Sequence, residues 1–241
     1  MDVVEAFAAA DPGIVVTPDA TPYRERKVRV LNGTHTAMVP AALLCGKETV
    51  QEAVEDDLVG AFVRRLMFNE IVPTLDAEGA EEFAREVFDR FSNPSIRHAL
   101  LDITLQATMK TRVRNVPTIL RYAERYGAAP ASFAFGLAAF LVFMRGDLQA
   151  EARVRGARVP PDDQAEKLRA LWESVDRDDD GALRDLARAF LGDEALWERD
   201  LSAVPGLVER VGGELVRIER EGARAALAAH LEEASTAGVL R

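Results

Sequence analysis

Lys27, Asn32 and His35 stand at positions i, i+5 and i+8 in the segment PYRERKVRVLNGTHTAMVP. At 100° per residue they fall at 0°, roughly 140° and roughly 80° around a helix axis, which puts them on one face. There the lysine offers an acid/base group and the asparagine a donor that polarises a carbonyl or alkoxide. The imidazole can orient a neighbouring hydroxyl. Arg24, Arg26 and Arg29 would put further positive charge beside Lys27, consistent with tuning its amine downward. The same residues could instead be a solvated lysine, an Asn32-Gly33 turn and a satisfied core histidine, and the pattern leaves both open. A second cluster is Lys110, Arg112 and Arg114 in LQATMKTRVRNVP. Lys110 and Arg114, four apart, share a face, while Arg112 points elsewhere on a regular helix. Such cations could clamp a carboxylate, arginine through its planar fork, or form a basic surface face paired with acidic neighbours.

Other chemistries are argued against. Asp176, Asp178, Asp180 and Gly181 match the first half of an EF-hand loop. However, Arg184 holds its ninth position and Ala187 the twelfth, where a bidentate glutamate is needed. The segment reads as a helix connection, and no metal site is expected. The sequence holds no G-x-G-x-x-G after a strand, no Walker loop, no G-x-S-x-G elbow and no H-E-x-x-H. His98 and His230 have no acid or cysteine at ligand spacing, and the lone Cys45 excludes multi-cysteine zinc sites and an internal disulfide. Trp172 and Trp197 read as packing anchors.

The elements that must carry these residues are mostly helices. The chain of 241 residues is 48% hydrophobic and 29% charged, ample for a core. Its net charge of −10 argues against non-specific nucleic-acid or anionic-membrane partners but allows a local basic pocket. Gly13–Thr17 reads as a short extended run between prolines. Helices are expected over Lys27–Leu44, kinked or ended by Pro40, and from a capping box at Thr49 and Glu52 through Ile71, stopped by Pro73. Others are expected over Asp76–Phe91, from Asn93-Pro94 to about Tyr126 with a kink near Pro117, and over Asp162–Val175, Ala182–Leu191, Asp193–Leu201 and Pro205–Ala234. The stretch Gly146–Pro161 reads as a loop. Ala131–Met144 is the most apolar run, too short for a bilayer and closed by Arg145, hence a buried helix. No secretory signal opens the sequence, so a cytoplasmic protein is expected.

The string ERKVRVLNGTHTAMVP resembles the polyol-specific long-chain dehydrogenase/reductase (mannitol dehydrogenase) family. That family's signature of lysine, four residues, asparagine, two residues and histidine is matched without a gap by Lys27, Asn32 and His35. The likeness extends through RFSNPSIRHALLDITLQATMKTRVRNVP, DDQAEKLRALW and LWERDLSAVPGLVERV, almost the whole chain. Thr36 after the histidine and the Val39-Pro40 pair are similar to the tagaturonate reductase (altronate oxidoreductase) branch. Asp102 stands where mannitol-type members carry an arginine, which counts against mannitol specificity. The resemblance implies a multi-helical C-terminal domain of the 6-phosphogluconate dehydrogenase C-terminal-like type, over residues 24–241. Residues 1–23 would be a segment leaving a Rossmann domain that this sequence does not contain. It further implies catalysis by Lys27, Asn32 and His35 and substrate binding by Lys110, Arg112 and Arg114. The cofactor would be NAD, held mainly by the absent domain, and the reaction would interconvert a keto-uronate and an aldonate. The alternatives are a non-catalytic helical remnant serving as a protein-interaction module, or a mannitol- or fructuronate-type dehydrogenase domain.

Overall fold

The computed structural model describes residues 9–11 and 16–236, and all regular elements among them are helical. β pairing among the described residues is one isolated antiparallel bridge, between Thr49 and Ala99. The extended run expected at Gly13–Thr17 falls mostly outside the described residues; Val16 and Thr17 carry no regular structure. The architecture is a mostly α, multi-helical domain.

Three composite helices position the candidate site. In the first, Thr21–Arg26, the π-helical Lys27–Gly33 and Thr34–Leu44 follow one another with right-handed helical angles at both junctions. Pro40 does not end this helix, which continues through it to Leu44. An interior proline costs about 3 kcal/mol. The helix around it buries Met38, Val39, Ala41 and Ala42 and packs on the core helix Ala131–Arg145, and fully burying Met and Val side chains contributes about 1.5–3 kcal/mol each. Packing wins.

The capping box at Thr49 is formed, with Thr49 accepting from the Glu52 amide and Glu52 accepting from the Thr49 amide. The helix it opens is not continuous to Ile71. Val50–Glu55 stops at the extended Asp56, whose carboxylate accepts from the Leu58 and Val59 amides and starts a second composite helix. That helix runs through Asp57–Arg65, the π-helical Leu66–Ile71 and the 3-10 turn Val72–Thr74. Gly60 permits the sharp break, because a Cβ there would lie 2.4 Å from the Val54 carbonyl oxygen.

The third composite helix corrects the expectation of one helix from Asn93-Pro94 to Tyr126. Asn93 instead closes a turn by accepting from the Ser95 amide. Residues 98–100 pair with residues 48–50, through Val50 N–H to the His98 carbonyl and Leu100 N–H to the Glu48 carbonyl. Helix returns as Leu100–Ile103 and, after Gln106, as Ala107–Lys110, the π-helical Thr111–Asn115 and Val116–Tyr126. Pro117 lacks the N–H that would reach the Val113 carbonyl. Arg29 Nη1 fills that role, donating to the carbonyls of Val113 (2.8 Å) and Arg114 (2.9 Å). The expected kink is thus a π turn satisfied by an arginine from another helix.

Ala131–Arg145 is the centre of the core, buried from Ser132 to Met144 and packed between Thr34–Leu44 and Leu207–Glu221. No single helix among the described residues is long and apolar enough to cross a membrane. The buried Glu70 carboxyl accepts from the Ser132 and Phe133 amides at the start of this helix; burial pushes its pKa up, opposed by these two hydrogen bonds. Trp172 and Trp197 are buried anchors, their indole N–H groups donating to the Leu141 and Phe190 carbonyls. The stretch expected as a loop contains a helix, Asp147–Val154, before the irregular segment that includes Pro160-Pro161. The last expected helix is divided at Gly222 (φ 83°) into Leu207–Glu221 and Ala223–Thr236. Between Val154 and Leu207 lie Ala165–Trp172 and Asp180–Gly192, close to expectation, whereas the helix expected over Asp193–Leu201 is broken at the left-handed Glu198 into Glu194–Trp197 and the 3-10 turn Leu201–Ala203.

Candidate functional site

Two of the three π segments meet face to face. Lys27–Gly33 packs against Thr111–Asn115, with Leu66–Ile71 beside them. A π turn is wider than an α turn and rotates each residue by less, which brings residues five apart, such as Lys27 and Asn32, toward one side. Gly33 is helical (φ −65°), so the alternative of an Asn32-Gly33 turn is not what forms. Its missing side chain matters for approach, since a Cβ there would sit 3.2 Å from Asn115 Oδ1.

On this face Lys27 is exposed and its charge is felt at His35, two turns on. Asn32 is half-buried, and its carbonyl accepts from Thr36 Oγ1 at 2.8 Å. The His35 ring stacks on Phe91 (centroids 4.2 Å apart, 16° between planes) and meets His98 edge-on at 5.3 Å. Burial holds the His35 imidazole down at about 3, helped by the charges of His98, Arg114 and Lys27. The imidazole is therefore neutral at neutral pH, and its Nε2 is buried without a protein partner.

A pH effect on folding follows. Below about 6.5 the unfolded histidine takes up a proton, while the folded one stays neutral until about 3. Stability should therefore fall as the pH drops through that window, by about 2 kcal/mol at roughly pH 5. Urea unfolding of the protein and of His35→Asn at neutral pH and at pH 5 checks this. An equal pH dependence in both would assign the loss to other groups.

The cationic cluster is divided by the structure. Lys110 Nζ donates to the Ile103 carbonyl at 3.0 Å, and burial, then Arg114, holds its ammonium below the usual lysine range. Arg114 is half-buried and Nη1 donates to Thr36 Oγ1 at 3.2 Å. Arg112 turns away and pairs with Glu198 at 3.2 Å. The structure thus puts Lys27 and Arg114 within electrostatic reach of His35, and Lys110 within reach of Arg114, and leaves Arg112 outside. Two of the arginines expected beside Lys27 are engaged elsewhere. Arg26 lies over the Tyr23 and Phe83 rings, and Arg29 bonds Glu25 as well as the two carbonyls. Asp102 is exposed.

Thr36 is the residue that spacing alone missed, because its hydroxyl links the two helices by donating to Asn32 and accepting from Arg114. Its separation of four from Asn32 is the signal that could have found it. His230, given no acidic neighbour by spacing, meets Glu214 at 2.7 Å across two helices. The EF-hand-like carboxylates are used within the fold: Asp176 accepts from the Asp178 amide at 3.0 Å and Asp180 pairs with Arg220 at 2.7 Å. Among the described residues no group of histidine, cysteine, aspartate or glutamate could hold a metal ion.

Comparison with known proteins places the chain in a family. The family model for the mannitol dehydrogenase C-terminal domain matches residues 19–219. An altronate oxidoreductase of Pectobacterium atrosepticum is 42% identical over 221 residues, covering 90% of this chain and 45% of that protein. The Bacillus subtilis altronate oxidoreductase is 40% identical, covering 92% and 44%. Among solved structures, the Pseudomonas fluorescens mannitol 2-dehydrogenase ternary complex with NAD and D-mannitol superposes with a TM-score of 0.75 at 26% identity. That match covers 90% of this chain and 42% of the other. The chain spans less than half the length of each of these proteins.

Proposed function

Because this chain belongs to the mannitol dehydrogenase C-terminal domain family, we propose that it is the catalytic and substrate-binding half of an NAD-dependent oxidoreductase. The pair interconverted is tagaturonate, a keto-uronate, and altronate, its aldonate. The observation that carries this reading is the convergence of Lys27, His35 and Arg114 at the contact of two π segments. π turns inside α-helices recur at functional sites. These side chains supply a proton donor, a neutral hydroxyl partner and a guanidinium fork. The relatives of about 40% identity, named altronate oxidoreductase, support the choice of substrate.

In the reductive direction the carbonyl oxygen gains negative charge and takes its proton from the Lys27 ammonium. In oxidation the neutral amine removes the hydroxyl proton. The Asn32 amide donates to the same oxygen and stabilises alkoxide character, while His35 Nε2 bonds an adjacent hydroxyl. Lys110 and Arg114 face the carboxylate. The nicotinamide, when bound, supplies or accepts the hydride. The residues gathered here suit a sugar acid rather than a dinucleotide, since no glycine-rich strand-to-helix turn stands ready to take a pyrophosphate. NAD would be held mainly by a Rossmann domain, with residues 1–23 leading from it. The exposed Ile96, Leu105, Met109 and Val113, beside or along the cationic helix, support coverage of this side by such a body.

The test is a pair of titrations of the 241-residue chain. Altronate should give a saturable calorimetric signal, and NADH no saturable fluorescence change at micromolar levels. Turnover should appear only when a nucleotide-binding half is supplied. A micromolar NADH isotherm would overturn the division of labour. Absence of sugar-acid binding would favour the interaction module, which uses the exposed apolar residues and has no use for the charges.

A further inference from the structure

We propose that Asp162 is a positioning residue: it fixes the helix that carries Lys110 and Arg114 against the His35 face by holding the strained turn from which that helix starts. The inference rests on the reading of this face as a sugar-acid site. Gln106 is left-handed (φ 52°, ψ 46°), a conformation unfavourable for a residue with a side chain. Only Gln106 and Glu198 (φ 60°) among the described non-glycine residues have positive φ. Both bear on the same short cationic stretch. Gln106 begins it, its carbonyl accepting from the Lys110 amide at 3.0 Å, and Glu198 pairs with Arg112. Backbone strain confined to the supports of one element points to a required placement of that element.

The strained turn is held from a distant part of the chain. The Gln106 amide donates to the Pro161 carbonyl at 2.9 Å, and its side chain exchanges hydrogen bonds with Asp163 at 2.9 and 3.3 Å. Asp162 completes the clasp. Its Oδ2 accepts from the Thr108 amide at 2.7 Å, and its Oδ1 from Thr108 Oγ1 and the Gln164 amide, both at 2.9 Å. An ordinary N-cap is the residue adjoining the helix, accepts from an amide two or three residues on, and sets only where that helix begins. A carboxylate 54 residues away fixes the helix start relative to the rest of the fold. Glu198, at the other end, takes up the Arg112 charge and leaves Lys110 and Arg114 facing the site.

The sequence has four lysines, Lys27, Lys47, Lys110 and Lys167, so 13C-methylation gives a spectrum in which Lys110 can be assigned through Lys110→Arg. In the full chain Lys110 should titrate below the usual lysine range. Asp162→Ala should move its midpoint up toward that range, as the ammonium loses its buried seat. It should also weaken altronate binding roughly tenfold or more, the order expected for a small misplacement of a binding group. Asp162→Asn, which keeps one acceptor, should restore much of both. A fall in Tm alone, with the Lys110 midpoint and altronate affinity unchanged, would make Asp162 a structural cap and overturn the proposal. Should Asp162→Ala fail to fold, Asp162→Ser, whose shorter side chain gives up the two Thr108 contacts, takes its place, and an unchanged Lys110 midpoint there overturns the proposal equally. If the wild-type chain binds no altronate, the sugar-acid reading fails, and the Lys110 midpoint still decides the positioning role.

Discussion

Lys27→Ala, in an enzyme form that carries a nicotinamide-binding half, should lower kcat by about 10²–10⁴-fold, the usual cost of losing a positioned proton donor. NADH binding should be unchanged. The expectation rests on placement: Lys27 is exposed on the site face, where its charge reaches His35. An ordinary solvated lysine in that position would cost almost nothing on removal. Lys27→Arg should fail nearly as badly, because a guanidinium keeps its proton throughout the accessible pH range and cannot act as base. A second readout is independent of turnover. The Lys27 ammonium is one of the charges that hold the His35 imidazole down, so its removal should raise the His35 midpoint, followed by NMR. Turnover within a few-fold of wild type across the pH profile would take Lys27 out of the mechanism.

What the sequence revealed of this site is what lies within one helix. Lys27, Asn32 and His35 are close in the chain, so their spacing alone placed them on a face. The Thr49 capping box and the Ala131–Met144 run were legible for the same reason: their causes are local. The features that were missed are set by partners far away in sequence. Arg29 reaches carbonyls 84 and 85 residues on and thereby makes a π turn where Pro117 predicted a kink. Gln106 takes a left-handed conformation because the loop at residues 161–163 holds it there. Pro40 reads as a helix breaker, yet the packing of Thr34–Leu44 on the core outweighs its local preference. Angular arithmetic at 100° per residue also overstated the separation of Lys27 and Asn32, because it assumes an α turn throughout.

On the sugar-acid reading proposed above, the same distinction decides which arginine would recognise the carboxylate. By spacing, Lys110 and Arg114 share a face, but either Arg112 or Arg114 could be the fork. The structure gives Arg112 an acidic partner, Glu198, and gives Arg114 a hydroxyl, Thr36, within the site. A guanidinium already paired at the surface gains little from a second carboxylate. One whose hydrogen-bond partner is a neutral hydroxyl, with the Lys110 ammonium nearby, and which burial already disfavours as a cation, gains more. Arg114→Ala should therefore lower kcat/KM for the uronate by tens- to about a hundredfold, corresponding to roughly 2–3 kcal/mol for a charge-assisted contact. Arg114 is only half-buried, so solvent screening places the effect toward the lower end. A neutral ketose should lose far less, since it lacks the charge that the fork binds. Arg112→Ala should change both substrates by no more than a few-fold, and Glu198→Gln should not mimic Arg114→Ala. Added salt should weaken uronate turnover in the wild type more than in Arg114→Ala. If the uronate preference survives Arg114→Ala and falls in Arg112→Ala, the Arg112–Glu198 pair must open in the working enzyme. If neither changes it, the carboxylate is bound by residues outside this cluster.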